Sequence, residues 1–383
     1  MRGIPLAWQQ LTREKRRFAA ALAGICFAVT LMMMQLGLRD ALYHTATMVH
    51  DHMRGDVFLI SPHYEYLFST RQFTQRRLHR ALGIEGVAAV SAMYVGIGAW
   101  KNPVDGVEKR ILVMGSSPAV PVFDFDGVQE AARELRDADV VLFDAWSRPE
   151  FGPVTALLAA RPQLWTEING RRTRIAGTFP MGPTFASSGH VITSDLNFLR
   201  LFPERPEGVV DIGLVTLEPG AAPRQIRDAI DAALPDDVRV LTREQFMTLE
   251  RSYWTDHLPI GFIFNLGSLL GLVVGGVIVY QILYADVIDH LPEYATLKAM
   301  GYLDTDLFTI VGQEALYLSC LGFVPGLTAS LVLYWVLRTG TGILVEMTWQ
   351  RVLSVFALTL VTCLLAGGIA MRKIRHADPA SVF

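Results

Sequence analysis

Lysine is scarce in this 383-residue chain, which has only Lys15, Lys101, Lys109, Lys298 and Lys373. None of the five follows a glycine. A phosphate-binding loop needs Gly-Lys-Ser or Gly-Lys-Thr, because the lysine reaches the phosphates from a glycine-rich turn. An ATP site of that kind is therefore excluded, and no cofactor is expected in this chain. Cysteine is scarcer still: Cys26, Cys320 and Cys363 all fall in apolar stretches. The long polar segment between residues 39 and 258 has none, so no disulfide framework holds it. Charge is also depleted, at 19% against about 25% in an average soluble domain. The net charge of −3 lacks the basic excess that nucleic acid requires.

Four apolar stretches are present, each of the roughly 20 residues a helix needs to cross a ~30 Å hydrocarbon layer. They run over residues 18–38, 260–283, 307–337 (most apolar from Ala315) and 352–371. The first is longer than the ~7–15 residue core of a signal peptide and reads as a retained span. Its leader, residues 1–17, mixes Ile4, Leu6, Trp8 and Leu11 with polar residues, as in a short helix lying in the membrane interface. Arg13, Lys15, Arg16 and Arg17 precede the first span, and Arg372, Lys373 and Arg375 follow the last. Both clusters place the termini in the cytoplasm by the positive-inside rule. Residues 39–258 are then extracytoplasmic, 284–306 form a cytoplasmic loop, 338–351 a short outer loop and 372–383 a cytoplasmic tail.

Within the second span, Gly267, Gly271 and Gly275 recur every fourth residue on one face. Small residues at that spacing let another helix approach closely. No span carries a pair of carboxylates or a deep basic residue, so an ion-driven carrier lacks its machinery. Glu314 lies near the cytoplasmic start of the third span, where an ionised side chain costs little.

The outer segment reads as α+β. Residues 56–61 suggest a strand, 74–82 a helix, 87–100 and 110–114 strands, 209–217 a strand, 223–234 a helix and 238–241 a strand. Two β-α-β units at its ends imply one subdomain, with residues 119–205 inserted between them. Asn169-Gly170 marks a hairpin turn in the insertion. No catalytic constellation emerges. His50 and His52 lack a third metal ligand nearby, and Ser187-Ser188-Gly189-His190 lacks the glycine pattern of a nucleophile elbow. No metal site is expected.

In the cytoplasmic loop, Pro292 suits the first helical turn, Glu293 its positive end, Lys298 the last turn and Gly301 the C-terminal cap. Tyr294, Leu297 and Met300 give this short helix an apolar surface that needs a docking partner.

The run Ile-Pro-Leu-Ala-Trp-Gln-Gln-Leu-Thr-Arg-Glu-Lys-Arg-Arg at residues 4–17 resembles the permeases of the DevC type, within the FtsX/MacB-like family of ABC exporter subunits. So do Leu-Ile-Ser-Pro-His-Tyr-Glu-Tyr-Leu (59–67), the segment 189–200, Tyr-Ala-Thr-Leu-Lys-Ala-Met-Gly-Tyr (294–302) and the C-terminal Arg-His-Ala-Asp-Pro-Ala-Ser-Val-Phe. The resemblance implies an α-helical membrane protein with four transmembrane helices plus a large extracytoplasmic α+β domain, a MacB-like periplasmic domain inserted between helices 1 and 2. It implies a homodimer in the bacterial inner membrane, in contact with membrane lipid. It further implies a separate ABC ATPase subunit that binds the ATP and docks at the loop helix, an HlyD-like membrane-fusion adaptor and a TolC-like outer-membrane channel. The cargo of the cyanobacterial relatives is a glycolipid. A lipoprotein-release permease shares the same four-span plan and stands as the alternative.

Overall fold

The computed structural model describes residues 8, 13–120, 122–161, 163–184, 187–257, 260–293, 296, 300, 303–341 and 345–375. The chain divides into two compact units: Met1–Ala41 with Ile260–Phe383, and Leu42–Pro259.

The outer unit is entered by the end of α1 (Lys15–Asp51), which continues well past the apolar stretch. There follow β1 (Val57–Ile60), β2 (Phe73–Thr74), α2 (Arg76–Leu82), β3 (Val87–Lys101) and β4 (Glu108–Ser116). Next come β5 (Val140–Asp144), α3 (Val154–Ala160), β6 (Leu164–Ile168), β7 (Arg171–Phe179), β8 (His190–Ser194) and α4 (Asp195–Leu201). The unit ends with β9 (Val209–Val210), β10 (Ile212–Leu217), α5 (Pro223–Ala233), β11 (Arg239–Thr242) and α6 (Arg243–Ser252). A π-helical turn, Tyr253–His257, follows α6.

Nine strands form one mixed sheet in the order β11-β1-β10-β3-β4-β8-β5-β7-β6. The expected β-α-β pieces are there, but residues 119–205 do not stand apart. β8 runs parallel to β4 (Leu112 opposite His190), and β6 pairs back onto the end of β3 (Trp100 opposite Ile168). Six strands thus close into a ring, with β1, β10 and β11 as an open extension. The physical reason lies in β3 and β4, whose paired length from Met93↔Ser116 to Lys101↔Glu108 leaves edges that would stay unpaired without the inserted strands. The β6–β7 turn has Asn169 at φ 52° and Gly170 at φ 72°, the left-handed pair that a two-residue hairpin requires.

Alternation along the strands supplies a core on each face. On one face Trp100, Ile111, Val113, Phe143 and Phe198 pack with Leu78 of α2 and Ile230 of α5. On the other, Phe58, Met93, Leu112, Met114 and Leu142 pack with Met48 and Val49 of α1 and Phe246 of α6. The end of α1 is thus built into the core of this unit.

The second unit holds α7 (Ile260–Asp289), α8 (Asp304–Thr341), α9 (Trp349–Arg375) and the start of α1. Four helices are long and apolar enough to cross a membrane: Lys15–Asp51, Gly261–Asp289, Phe308–Gly340 and Trp349–Met371. Their shared core includes Ala21, Ile25, Val29, Val279, Leu283, Leu318, Val355 and Cys363, with many large apolar side chains left facing outward. Such an apolar exterior is what lipid rather than water favours.

Candidate functional site

The 284–306 loop is partly described. Leu291–Glu293 and Thr296 are helical, and the Met300 N–H donates to the Thr296 carbonyl at 3.0 Å. Pro292 and Glu293 are among these helical residues, and Met300 is exposed. Tyr294, Leu297, Lys298 and Gly301 lie outside the described residues. The loop's carboxylates have a local explanation: Asp289 pairs with Arg17, and Glu293 lies 3.8 Å from Arg13. The leader's basic cluster is thus partly neutralised by acidic residues of this loop. Trp8 of the leader is helical and meets Phe18 and Tyr317 edge-on.

The glycine row of α7 faces α1. A Cβ at Gly275 would stand 2.5 Å from Ala28 Cβ, at Gly271 3.3 Å from Leu31, and at Gly267 2.5 Å from the amide end of Gln35. The partners themselves step three to four residues along α1, as two close-packed helices demand. α1 is approached by α8 as well, where Gly322 and Gly326 face Ile25 and Val29. Glu314 of α8 is fully buried. A polar cluster that local sequence patterns do not reveal ties three helices. Arg351 donates to Asp40 (2.8 Å) and to the Glu346 carbonyl (2.7 Å), while the Tyr334 hydroxyl donates to the Met33 carbonyl.

In the outer unit, the clearest concentration of buried polar groups joins α1 to α6. Thr242 starts α6 with a full capping box, its Oγ1 accepting from Gln245 N and Gln245 Oε1 accepting from Thr242 N. Arg243, Phe246 and Glu250, spaced three and four apart, then share one helix face. The Arg243 guanidinium donates to the carbonyls of His50, Met53 and Gly55, closing the C-terminal end of α1. Phe246 packs edge-on against the His50 ring at 4.7 Å. Glu250, 1% exposed, accepts from the Tyr64 hydroxyl at 2.9 Å and Leu67 N at 3.2 Å, with His50 Nε2 at 3.5 Å. Burial pushes Glu250 up to about 7, against the downward pull of hydrogen bonds from Leu67, Tyr64 and Trp254. Burial, with Arg243 nearby, lowers His50 to about 3. His50 lies beyond the first span, in the outer unit. The sequence sets His50 and His52 side by side, but their side chains diverge: His52 stacks on Phe125 at 4.3 Å. The usable signal is Glu250 itself, a carboxylate one turn past Phe246 on the apolar face of an amphipathic helix.

A second buried pair is structural. His190 Nδ1 meets Asp144 Oδ2 at 3.1 Å, both wholly buried, and Asp144 also accepts from the backbone N–H groups of Trp146, Met181 and Gly182. Burial raises Asp144, but bonds from His190, Gly182 and Met181 outweigh it and hold the carboxyl below its ordinary value. Thr184 Oγ1 stands 3.4 Å from His190 Nε2 and donates to the Ser187 carbonyl, so it is engaged in its own loop. Among the described residues no three His, Cys, Asp or Glu side chains are grouped to hold a metal ion.

Residues 265–379 match the family of the FtsX-like permease C-terminal domain. No curated protein matches the chain. Among solved structures, the periplasmic region of MacB from Actinobacillus actinomycetemcomitans is similar over 52% of this chain and 94% of its own, at 8% identity and TM-score 0.36. The extracellular domain of the noncanonic ABC-type transporter YknZ from Gram-positive bacteria is similar over 49% and 99%, at 11% identity and TM-score 0.33. A domain of a Porphyromonas gingivalis permease protein is similar over 50% and 89%, at 14% identity and TM-score 0.28.

Proposed function

We propose that this chain, whose residues 265–379 match the FtsX-like permease C-terminal family, is the membrane subunit of an ATP-driven ABC export complex in a bacterial inner membrane. The observation that carries the reading is that match, on a chain with four helices long enough to span and no Gly-Lys-Ser/Thr loop of its own. Energy then enters from a separate ATPase on the cytoplasmic side. The helical turn at Pro292 and Glu293 is its landing place, with Tyr294, Leu297 and Met300 as apolar contact and Glu293 and Lys298 as orienting charges. A capped helix loses little entropy on docking. Closure of an ATPase dimer would press this helix, and α7 and α8, which flank the loop, would carry the movement outward. A homodimer, a HlyD-like adaptor and a TolC-like channel complete the export path, for a cargo of glycolipid or other amphiphilic character.

The test is Leu297→Asp in a tagged chain that still inserts and purifies at the same size. ATPase copurification and export are both expected to fall at least tenfold. An ATPase that binds unchanged would move the docking site elsewhere. Recovery of an acylated lipoprotein with the intact chain would favour lipoprotein release over export.

A further inference from the structure

The outer unit joins the spans through two chain segments, the end of α1 on entry and the π-turn after α6 on exit. Both reach one buried cluster. His50 comes from α1, Glu250 from α6, Tyr64 from the loop after β1, and the buried Trp254 of the π-turn lies beside the same carboxylate. We propose that this cluster is a latch between the entering and leaving segments, closed while Glu250 carries a proton and loosened when it does not.

The hydrogen-bond inventory supports this. A neutral carboxyl has one proton to donate. His50 Nε2 stands 3.5 Å from Glu250 Oε2 and 3.4 Å from the Tyr64 hydroxyl, so that proton joins a cluster in which ring, hydroxyl and carboxyl share their hydrogen bonds. Tyr64 still donates to Oε2 at 2.9 Å, and Leu67 N to Oε1 at 3.2 Å. The protonated form therefore sits between α1, α6 and the loop after β1 without placing a charge in the core. Loss of the proton leaves a carboxylate whose nearest ring is a neutral imidazole, walled by Phe246 and Tyr64. Buried charge without a counter-charge is costly, and opening to water relieves it. The other ionisable groups around the cluster do not supply one. The Arg243 guanidinium is turned to backbone carbonyls at the far end of α6. Asp211 is paired with Arg205, and the Tyr253 ring stacks on Tyr66. Because burial sets the proton's release near 7, the switch falls in the physiological range. Arg243 holds α6 to α1 at its other end in either state, so the expected response is a loosening at Glu250 rather than separation of the helices.

Hydrogen exchange on the full chain in lipid nanodiscs tests this, one pH unit below and one above the Glu250 midpoint. After correction for intrinsic exchange rates, amides of residues 44–52 and 247–254 are expected to lose about tenfold protection at the higher pH, the factor linked to one pKa unit. Glu250→Gln, which keeps a donor at either pH, is expected to remove that difference. Infrared spectra of the unsubstituted protein give a readout independent of the variant. A protonated carboxyl band present at the lower pH should vanish at the higher one. Equal protection at the two pH values, or a carboxyl ionised throughout, overturns the proposal. Neither readout involves the ATPase, so a failed docking reading leaves this result standing.

Discussion

At the scale of single residues, Glu250 and His50 pull the pH profile in opposite directions. Glu250 has a folded value near 7 against 4.5 unfolded, so its contribution is complete below 4.5 and is lost as pH rises to about 7. His50 has a folded value near 3 against 6.5, so its contribution is complete above 6.5 and is lost as pH falls to about 3. Between 4.5 and 6.5 the two cancel. The isolated outer unit, residues 42–257, is expected to fold without metal or reductant-sensitive bonds and to show a plateau of stability in that window. Above it the loss of the Glu250 contribution lowers stability, by no more than about 1 kcal/mol, and below it the loss of the His50 contribution lowers it further, by on the order of 2 kcal/mol. Urea unfolding followed by tryptophan fluorescence checks this. In Glu250→Gln the fall on the alkaline side is expected to disappear. Local sequence flags His50 as unusual but suggests only a metal's chemistry for it, because its real partners come from residues 64 and 250. Such long-range pairing is invisible to local periodicity.

At the scale of elements, helix legibility follows the strength of local signals. Gly267, Gly271 and Gly275 announce a packing face by spacing alone, yet that spacing does not say which helix fills it or how tightly each position is held. The structure separates the three. A methyl at Gly275 strikes the rigid Cβ of Ala28, whereas one at Gly267 meets the end of a flexible glutamine. Gly275→Ala is expected to destabilise the spans by about 1–3 kcal/mol through overpacking. Gly267→Ala should cost no more than about 0.5 kcal/mol, in line with a substitution that neighbours can absorb. Thermal melts of detergent-solubilised protein, read by size-exclusion peak height, order the two. Ala28→Gly in the Gly275→Ala background should restore most of the loss. Within residues 119–205 the Asn169-Gly170 hairpin is legible, but β5, β8 and the return of these strands to β3 and β4 are not, since strand pairing order depends on edges left open by distant segments.

At the scale of the whole molecule, the basic clusters at Arg13–Arg17 and Arg372–Arg375 fix the expected sidedness. A cysteine introduced at Gly170, whose left-handed hairpin position has open space around it, should be labelled in intact spheroplasts by a membrane-impermeant thiol reagent. A cysteine introduced at Met300, exposed in the loop, should be labelled only after permeabilisation. The reverse pattern would invert the topology and remove the loop from the ATPase's reach. Composition and hydropathy alone make this plan readable, because the bilayer imposes length and charge rules on every span.

The two connections of the outer unit differ in mechanical kind. α1 is a single helix of 37 residues, about 55 Å at 1.5 Å per residue, with neither glycine nor proline after Gly37. Thrust or twist applied near one end of such a rod arrives at the other almost undiminished. The exit runs through the π-turn Tyr253–His257, where the wider ring interrupts the regular winding and lets the helix slip in phase. One connection is thus unbroken regular helix and the other a widened turn, and of the two it is the turn that yields first to strain.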